Sequence, residues 1–251
     1  EETVRETLAQ ELKPLPDLER LVTRIAMRSI RPRELAALRD ALPHLARIAE
    51  YVLSLNDPFM TEQCNNLVID PALYTQIDAA LLPEPAVLLR DGDVIRSEFN
   101  DELRTLRELR DNVGQFLNDM EIREREATGI STLRVQYNKI QGFFIEVSRG
   151  QADKIPEHYH RKQTLKNTER YMTPELKAYE AKALSAQERS AALQKSLYND
   201  LLEFASHYIA ALQAAAKSIA ALDVIASLTE HAARADWVRP EMSEAAGNKY
   251  P

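Results

Sequence analysis

The sequence predicts a mainly α fold: a helical core with two long antiparallel helices that carry a small inserted α/β module. Three observations predict it. Glycine, which is costly inside helices, occurs only 6 times in 251 residues. Apolar residues recur every three or four positions over most of the chain. Only between Leu133 and Met172 does the apolar pattern alternate in twos.

The elements follow in order. Val4, Leu8 and Leu12 share a helical face that Pro14 and Pro16 end. This opening has no signal-peptide pattern and resembles the middle of a helix, so a fragment of a longer protein is expected. Asp17 is an N-cap for the stripe Leu18, Leu21, Val22 and Ile25. Pro32 opens another helix with Leu35 and Leu38, which Pro43 should break or restart before Leu45, Ile48, Val52 and Leu55. Asn56-Asp57-Pro58 reads as a loop, and Asp70-Pro71 starts a short helix to Leu82. Val87-Leu88-Leu89 and Val94-Ile95 flank Asp91-Gly92, the signal of a hairpin.

A first long helix is expected from Asn100 to Thr128, on the stripe Phe99, Leu103, Leu106, Val113, Leu117 and Met120. It would extend ~43 Å at 1.5 Å per residue. The charges of Glu121 to Glu126 read as its solvated face, with no support for a catalytic carboxylate pair. Gly129 ends it. Leu133, Val135 and Tyr137, then Phe143, Ile145 and Val147, form the apolar face of a two-stranded ribbon. Gln163 to Tyr171 adds a third strand, and Asp153 to Tyr159 a short helix or turn. Thr173-Pro174-Glu175 restarts helix, and no Gly or Pro interrupts the pattern before Pro240. That run is ~60 residues, or ~90 Å if unbroken. The expected division is 1–128 for the first part of a core and lever domain, 129–172 for the inserted module, 173–239 for the returning part, and a disordered tail at 240–251.

Charge singles out the inserted module. From Leu133 to Met172 eight basic residues face four acidic ones, a net of +4 in a chain whose net charge is −7. A basic tip on an acidic body suits a polyanion. Arg161, Lys162, Gln163, Thr164, Lys166, Asn167 and Arg170 lie close together and can neutralise or hydrogen-bond phosphates without reading sequence. No Arg, Asn or Gln set stands at a spacing suited to the major groove. Alternatively, these charges are a solvated strand edge that blocks unwanted pairing.

Other chemistry finds little support. Cys64 is the only cysteine, so no intramolecular disulfide can form, and it reads as a buried thiol. The pair His158 and His160 lacks companions at metal-ligand spacing. No phosphate loop or dinucleotide fingerprint is present, so no cofactor is expected on this chain. Asp223 interrupts the apolar run from Ser218 to Leu228, so no membrane span is expected.

The segment Thr164-Leu165-Lys166-Asn167-Thr168-Glu169-Arg170-Tyr171, followed by Pro174-Glu175-Leu176-Lys177, resembles the clamp-to-lever junction of the bacterial MutS family of DNA mismatch recognition proteins. Asp91-Gly92-Asp93-Val94-Ile95 with Phe99-Asn100-Asp101-Glu102-Leu103 resembles that family's entry to the first lever. Tyr137-Asn138, Gly142-Phe143-Phe144-Ile145 and Ser148-Arg149-Gly150 resemble its clamp ribbon, and Arg28 to Leu35 a part of its core. The resemblance covers residues 15–238, departing at Glu98 and Arg104. The string Phe144-Ile145-Glu146 also matches the family's mismatch-reading motif, but strand alternation explains it there.

The resemblance implies a fragment of a mismatch repair protein: part of the core and lever domain plus the clamp. The clamp would bind the backbone of double-stranded DNA without sequence choice, and the levers would transmit ATP-driven change from an ATPase domain elsewhere. ATP and Mg belong to that domain, so this fragment would not itself be an enzyme, although the full-length family is a weak DNA-dependent ATPase. The family context adds a homodimer, mismatch repair partner proteins and a cytoplasmic location. Carried over by position, Lys166 and Asn167 are the leading DNA contacts, with Arg170, Lys162, Arg161, Thr164 and Gln163 as neighbours and Arg134, Asn138 and Lys139 on the ribbon. The rival reading is a structural coiled-coil arm whose tip binds a protein.

Overall fold

The computed structural model describes residues 2–138 and 140–238, with side chains from residue 5 onward. The described chain is mainly helical with one small antiparallel sheet. Its helices are α1 (Glu2–Leu12), α2 (Leu18–Ala26), α3 (Pro32–Leu53), α4 (Pro58–Leu67), α5 (Pro71–Ala80), α6 (Asp101–Asp111), α7 (Val113–Thr128), α8 (Pro174–Ser206) and α9 (Ile209–Arg234). Its strands are β1 (Arg134–Asn138), β2 (Gly142–Ser148), β3 (His160–Thr164) and β4 (Thr168–Met172). The chain forms two compact units, one of residues 1–88 and 200–251 and one of residues 89–199.

In the first unit, short helices start where side chains replace missing backbone partners. Asp17 accepts from Arg20 N–H at 3.0 Å, Asp57 from Met60 N–H at 3.1 Å and Asp70 from Ala72 N–H at 2.8 Å. Asp57-Pro58 thus opens a helix, α4, where the sequence suggests only a loop. Leu21, Ile25, Leu35, Leu38, Leu45, Ile48, Leu67, Leu73 and Ile77 are all but sealed from solvent. Each such side chain contributes about 1.5–3 kcal/mol relative to exposure. Pro43 neither breaks nor restarts α3, which runs through it from Pro32 to Leu53. The buried residues on both sides of Pro43 hold the helix together despite the lost hydrogen bond.

Two expected long helices are interrupted. Asn112, with φ −76° and ψ 0°, separates α6 from α7. Asp111, Asn112, Val113 and Gly114 are four poor helix formers in a row. His207 and Tyr208 separate α8 from α9, and their N–H groups bond three residues back, to Phe204 and Ala205 carbonyls. Ser206 Oγ also donates to the Glu203 carbonyl at 2.6 Å, so side-chain competition tightens the end of α8. By length and composition α9 could cross a bilayer, contrary to the sequence reading. Its residues Leu212, Ala215, Ala216, Leu222 and Ala226 are buried, and it packs on α1, α2 and α4.

The second unit holds the sheet. The hairpin expected at 87–95 does not form. Gly92 (φ +82°) and Asp93 (φ +48°) make a turn after a 3₁₀ segment, Leu89–Asp91. The Val94 and Ile95 N–H groups then donate to Gln194 Oε1 at 3.1 and 3.4 Å instead of to a strand. The contact pairs Glu102–Arg189, Phe116–Tyr179 and Arg123–Glu175 ascend in one sequence and descend in the other. The α6–α7 pair is therefore antiparallel to the first part of α8.

Gly129, at φ +67°, caps α7 and turns the chain into the sheet. Strand order is β1-β2-β4-β3, all antiparallel. The stretch expected to be one strand, 163–171, is a turn between two strands, closed by Leu165 N–H to the Thr168 carbonyl at 2.9 Å. The segment expected as a helix or turn begins earlier, as a 3₁₀ turn Arg149–Lys154. On one face, Val135, Phe143, Ile145, Val147 and Tyr171 pack with Met120 of α7 and Leu176 of α8. The tail at 240–251, expected to be disordered, lies outside the described residues.

Candidate nucleic-acid interface

Strand register decides where the predicted site residues stand. β1 starts at Arg134, β2 ends at Ser148, β3 ends at Thr164 and β4 starts at Thr168. Antiparallel pairing puts all four at one end of the sheet, with Arg134 opposite Glu146 and Ser148 opposite Thr168. Lys166 and Asn167 form the exposed turn between β3 and β4 at this end. Arg149 joins them, because its N–H donates to the Asn167 carbonyl at 3.1 Å. Among the described residues the side chains of Arg134, Arg149, Lys154 and Lys166 are exposed and make no ion pair. Thr164, also exposed, adds a hydroxyl beside them.

The remaining predicted residues are engaged within the protein. Arg170 Nε donates to Glu146 Oε2 at 2.9 Å, and its Nη1 to Gln141 Oε1 at 3.0 Å and Gln163 Oε1 at 3.2 Å. Its guanidinium carbon lies 4.2 Å from the centroid of the Phe144 ring. That contact explains why Phe144, on the face away from the helices, is only 3% exposed. Gln163 is therefore used as an acceptor for Arg170. Lys162 Nζ donates to the Gln141 carbonyl at 2.5 Å, and Arg161 Nε lies 3.3 Å from Glu169 Oε2. Lys162 occupies the register shift between Arg161 and Gln163, which breaks strand alternation there. Asn138 stands at the opposite end of the sheet, where its Oδ1 accepts from Ile140 N–H at 2.8 Å. Lys139 lies outside the described residues.

Sequence reasoning did not name Arg149 and Lys154 as contacts, although both entered the charge count. The charges from Glu121 to Arg125, expected to form a solvated face, are engaged within the protein instead. Glu121 Oε2 accepts from Val135 N–H at 2.9 Å, so α7 covers a donor on the edge strand β1. Arg125 Nε donates to the Leu133 carbonyl at 2.7 Å, and Arg123 pairs with Glu175 at 2.6 Å. Glu124 is buried against Tyr159.

Two buried tyrosine–carboxylate contacts cross the core. Tyr159 Oη donates to Glu124 Oε2 and Tyr171 Oη to Glu169 Oε2, each at 2.5 Å. Burial, then these hydrogen bonds, push both phenols above their ordinary range. Cys64 is buried and donates to the Ala49 carbonyl at 3.3 Å, and burial raises its pKa. Among the described residues no group of three His, Cys, Asp or Glu is placed to hold a metal. The arrangement at the end of the sheet can hold anions by charge and hydrogen bonds.

Residues 98–189 match the family model described as MutS family domain IV. The match spans α6, α7, the whole sheet and the first half of α8. At the level of that family, domain IV ties the sequence to DNA binding and mismatch repair. Residues 98–189 are thus similar to a domain IV of the MutS family.

Proposed function

We propose that the end of the sheet formed by Arg134, Arg149, Thr164, Lys166 and Asn167 grips the phosphate backbone of duplex DNA without reading its sequence. The observation that carries this reading is the gathering of three exposed cations, Arg134, Arg149 and Lys166, that make no ion pair among the described residues, in a chain of net charge −7. In it residues 129–172 act as a clamp inserted between two lever helices. The levers pass ATP-driven movement from a separate ATPase domain, so this chain performs no chemistry of its own. ATP, Mg, dimerisation and the repair partners belong to the larger assembly, in the cytoplasm.

The test is binding of a labelled duplex, followed by fluorescence anisotropy from 50 to 200 mM salt. If about three phosphates are neutralised, the log–log salt slope is roughly −2.7, with affinity in the range ~10⁻⁴ to 10⁻⁶ M. A Lys166→Glu, Arg149→Glu variant with an unchanged circular dichroism spectrum loses this binding equally on matched and mismatched duplexes. Binding equal to that of the unmodified chain would overturn the proposal and favour a protein-binding arm.

A further inference from the structure

The face of the sheet away from the helices carries one polar row across all four strands. Arg134 on β1 stands opposite Glu146 on β2, Glu146 opposite Arg170 on β4, and Arg170 opposite Gln163 on β3. A single carboxylate thus lies between two guanidinium-bearing strands. Only Arg170 takes it, through Nε at 2.9 Å. Arg134 is exposed and its side chain makes no ion pair among the described residues.

Arg170 does not depend on Glu146 for its position. Phe144 lies beneath its guanidinium, and Gln141 and Gln163 accept from its Nη1. With Nε and Nη1 in use, Nη2 is the nitrogen left toward an incoming anion. An arginine fixed by an aromatic ring and two amides is pre-organised to bind an oxyanion, because little side-chain freedom remains to be lost. Glu146 is half-buried and occupies the site that such an oxyanion would take.

We infer that Glu146 is an internal counter-ion that limits DNA contact to the end of the sheet, and that Arg170, in the same row as the exposed Arg134, is a second phosphodiester subsite held closed by it. The inference rests on the proposed DNA reading of the same module. Neutralising Glu146 leaves Arg170 in place and uncompensated beside the already exposed Arg134, so the row engages one more backbone phosphate. The affinity for duplex then rises instead of falling, an outcome that loss of a merely structural contact does not give.

The experiment compares the unmodified chain with Glu146→Gln, Glu146→Ala, Glu157→Gln and the double variant Glu146→Gln, Arg170→Gln, in the same anisotropy assay. Glu157 is exposed and makes no ion pair among the described residues, so its variant gives the same charge change without releasing an arginine. One additional phosphate steepens the salt slope by about 0.9, which makes the affinity gain at 50 mM about threefold larger than at 200 mM salt. That steepening is expected in both Glu146 variants, and it is absent in Glu157→Gln and in the double variant. An unchanged slope in Glu146→Gln, or an equal gain in Glu157→Gln, overturns the inference. Failure of the broader DNA reading is distinct, since it appears as binding unaffected by Lys166→Glu, Arg149→Glu.

Discussion

Tyr159 Oη donates a 2.5 Å hydrogen bond to Glu124 Oε2, which ties the residue before β3 to α7 through the core of the sheet. The two groups are 6% and 9% exposed, so neither can turn to water for a replacement partner. The Tyr159 ring also meets Tyr171 edge-on at 6.0 Å, and Tyr171 in turn donates to Glu169. A polar line therefore crosses an otherwise apolar cluster from α7 to the β3–β4 hairpin.

This arrangement predicts alkaline sensitivity. Burial and the nearby carboxylates raise the pKa of Tyr159 and Tyr171, and burial alone raises that of Tyr179. A raised folded pKa gives stability that is complete below the unfolded value of about 10 and falls as pH climbs above it. Of the 9 tyrosines, these three should ionise together with unfolding, seen as a late step in tyrosinate absorbance that coincides with loss of helical signal. Tyr159→Phe removes the donor to Glu124 Oε2 and leaves the buried carboxylate only Arg123 Nη2, 3.4 Å from Oε1, at a cost of about 1–3 kcal/mol in urea unfolding. Glu124→Gln keeps an acceptor and should cost less than Tyr159→Phe. A larger loss from the glutamine would show that the charge, and not the hydrogen bond, holds the contact.

Acid sensitivity arises in the first unit, at Glu34. Burial disfavours its charge, but hydrogen bonds from Arg24, the Arg31 N–H and Arg20 outweigh that and hold the carboxyl at about 2. A depressed folded pKa gives stability that is present above the unfolded value of 4.5 and lost as pH falls toward 2. At neutral pH that contribution is at most about 3 kcal/mol. Replacing Glu34 with Gln should flatten the stability curve between pH 5 and 2, as measured by urea midpoints at each pH. An unaltered slope there would mean that other carboxylates govern acid unfolding.

How much of this was legible depends on the range of the interaction. Asp17, Asp70 and Gly129 act on their own helix ends, and each sits where local chemistry puts it. The alternation of Val135, Phe143, Ile145 and Val147 marks the core face because one face of a strand faces the helices. Phe144 escapes that rule, since it is buried from the other side by an arginine 26 positions later in the chain. The helix break at Asn112 follows from a run of modest propensities that ends in Gly114, and the break at His207–Tyr208 from propensities that no proline or glycine announces. Glu121 and Glu124 look like solvated charges until β1 and Tyr159 are brought against α7. For the candidate interface, the sequence supplied the cations but not their division. Whether Lys166 stands free while Arg170 is held depends on the β2–β4 register and the shift at Lys162, neither of which local pattern specifies.

Arg107 offers a test of how the entry to α6 is fixed to α8. It is 7% exposed, and burial lowers its pKa. Its Nη1 donates to the Ile95 carbonyl at 2.7 Å and to Ser97 Oγ at 3.0 Å, and its Nη2 to Gln194 Oε1 at 2.7 Å. Gln194 Oε1 also accepts from Val94 and Ile95 N–H, so one amide and one guanidinium join three segments. Lysine carries the charge but not the planar fork, and it cannot reach all of these acceptors from one rotamer. Arg107→Lys should therefore destabilise by about 1–3 kcal/mol, because carbonyl groups remain buried without donors. Arg107→Met and Gln194→Ala should be strongly non-additive, with a coupling of about 1 kcal/mol or more in a double-mutant cycle followed by urea unfolding. Additive losses would show that Val94 and Ile95 are held by packing alone, and that the arginine and glutamine act independently.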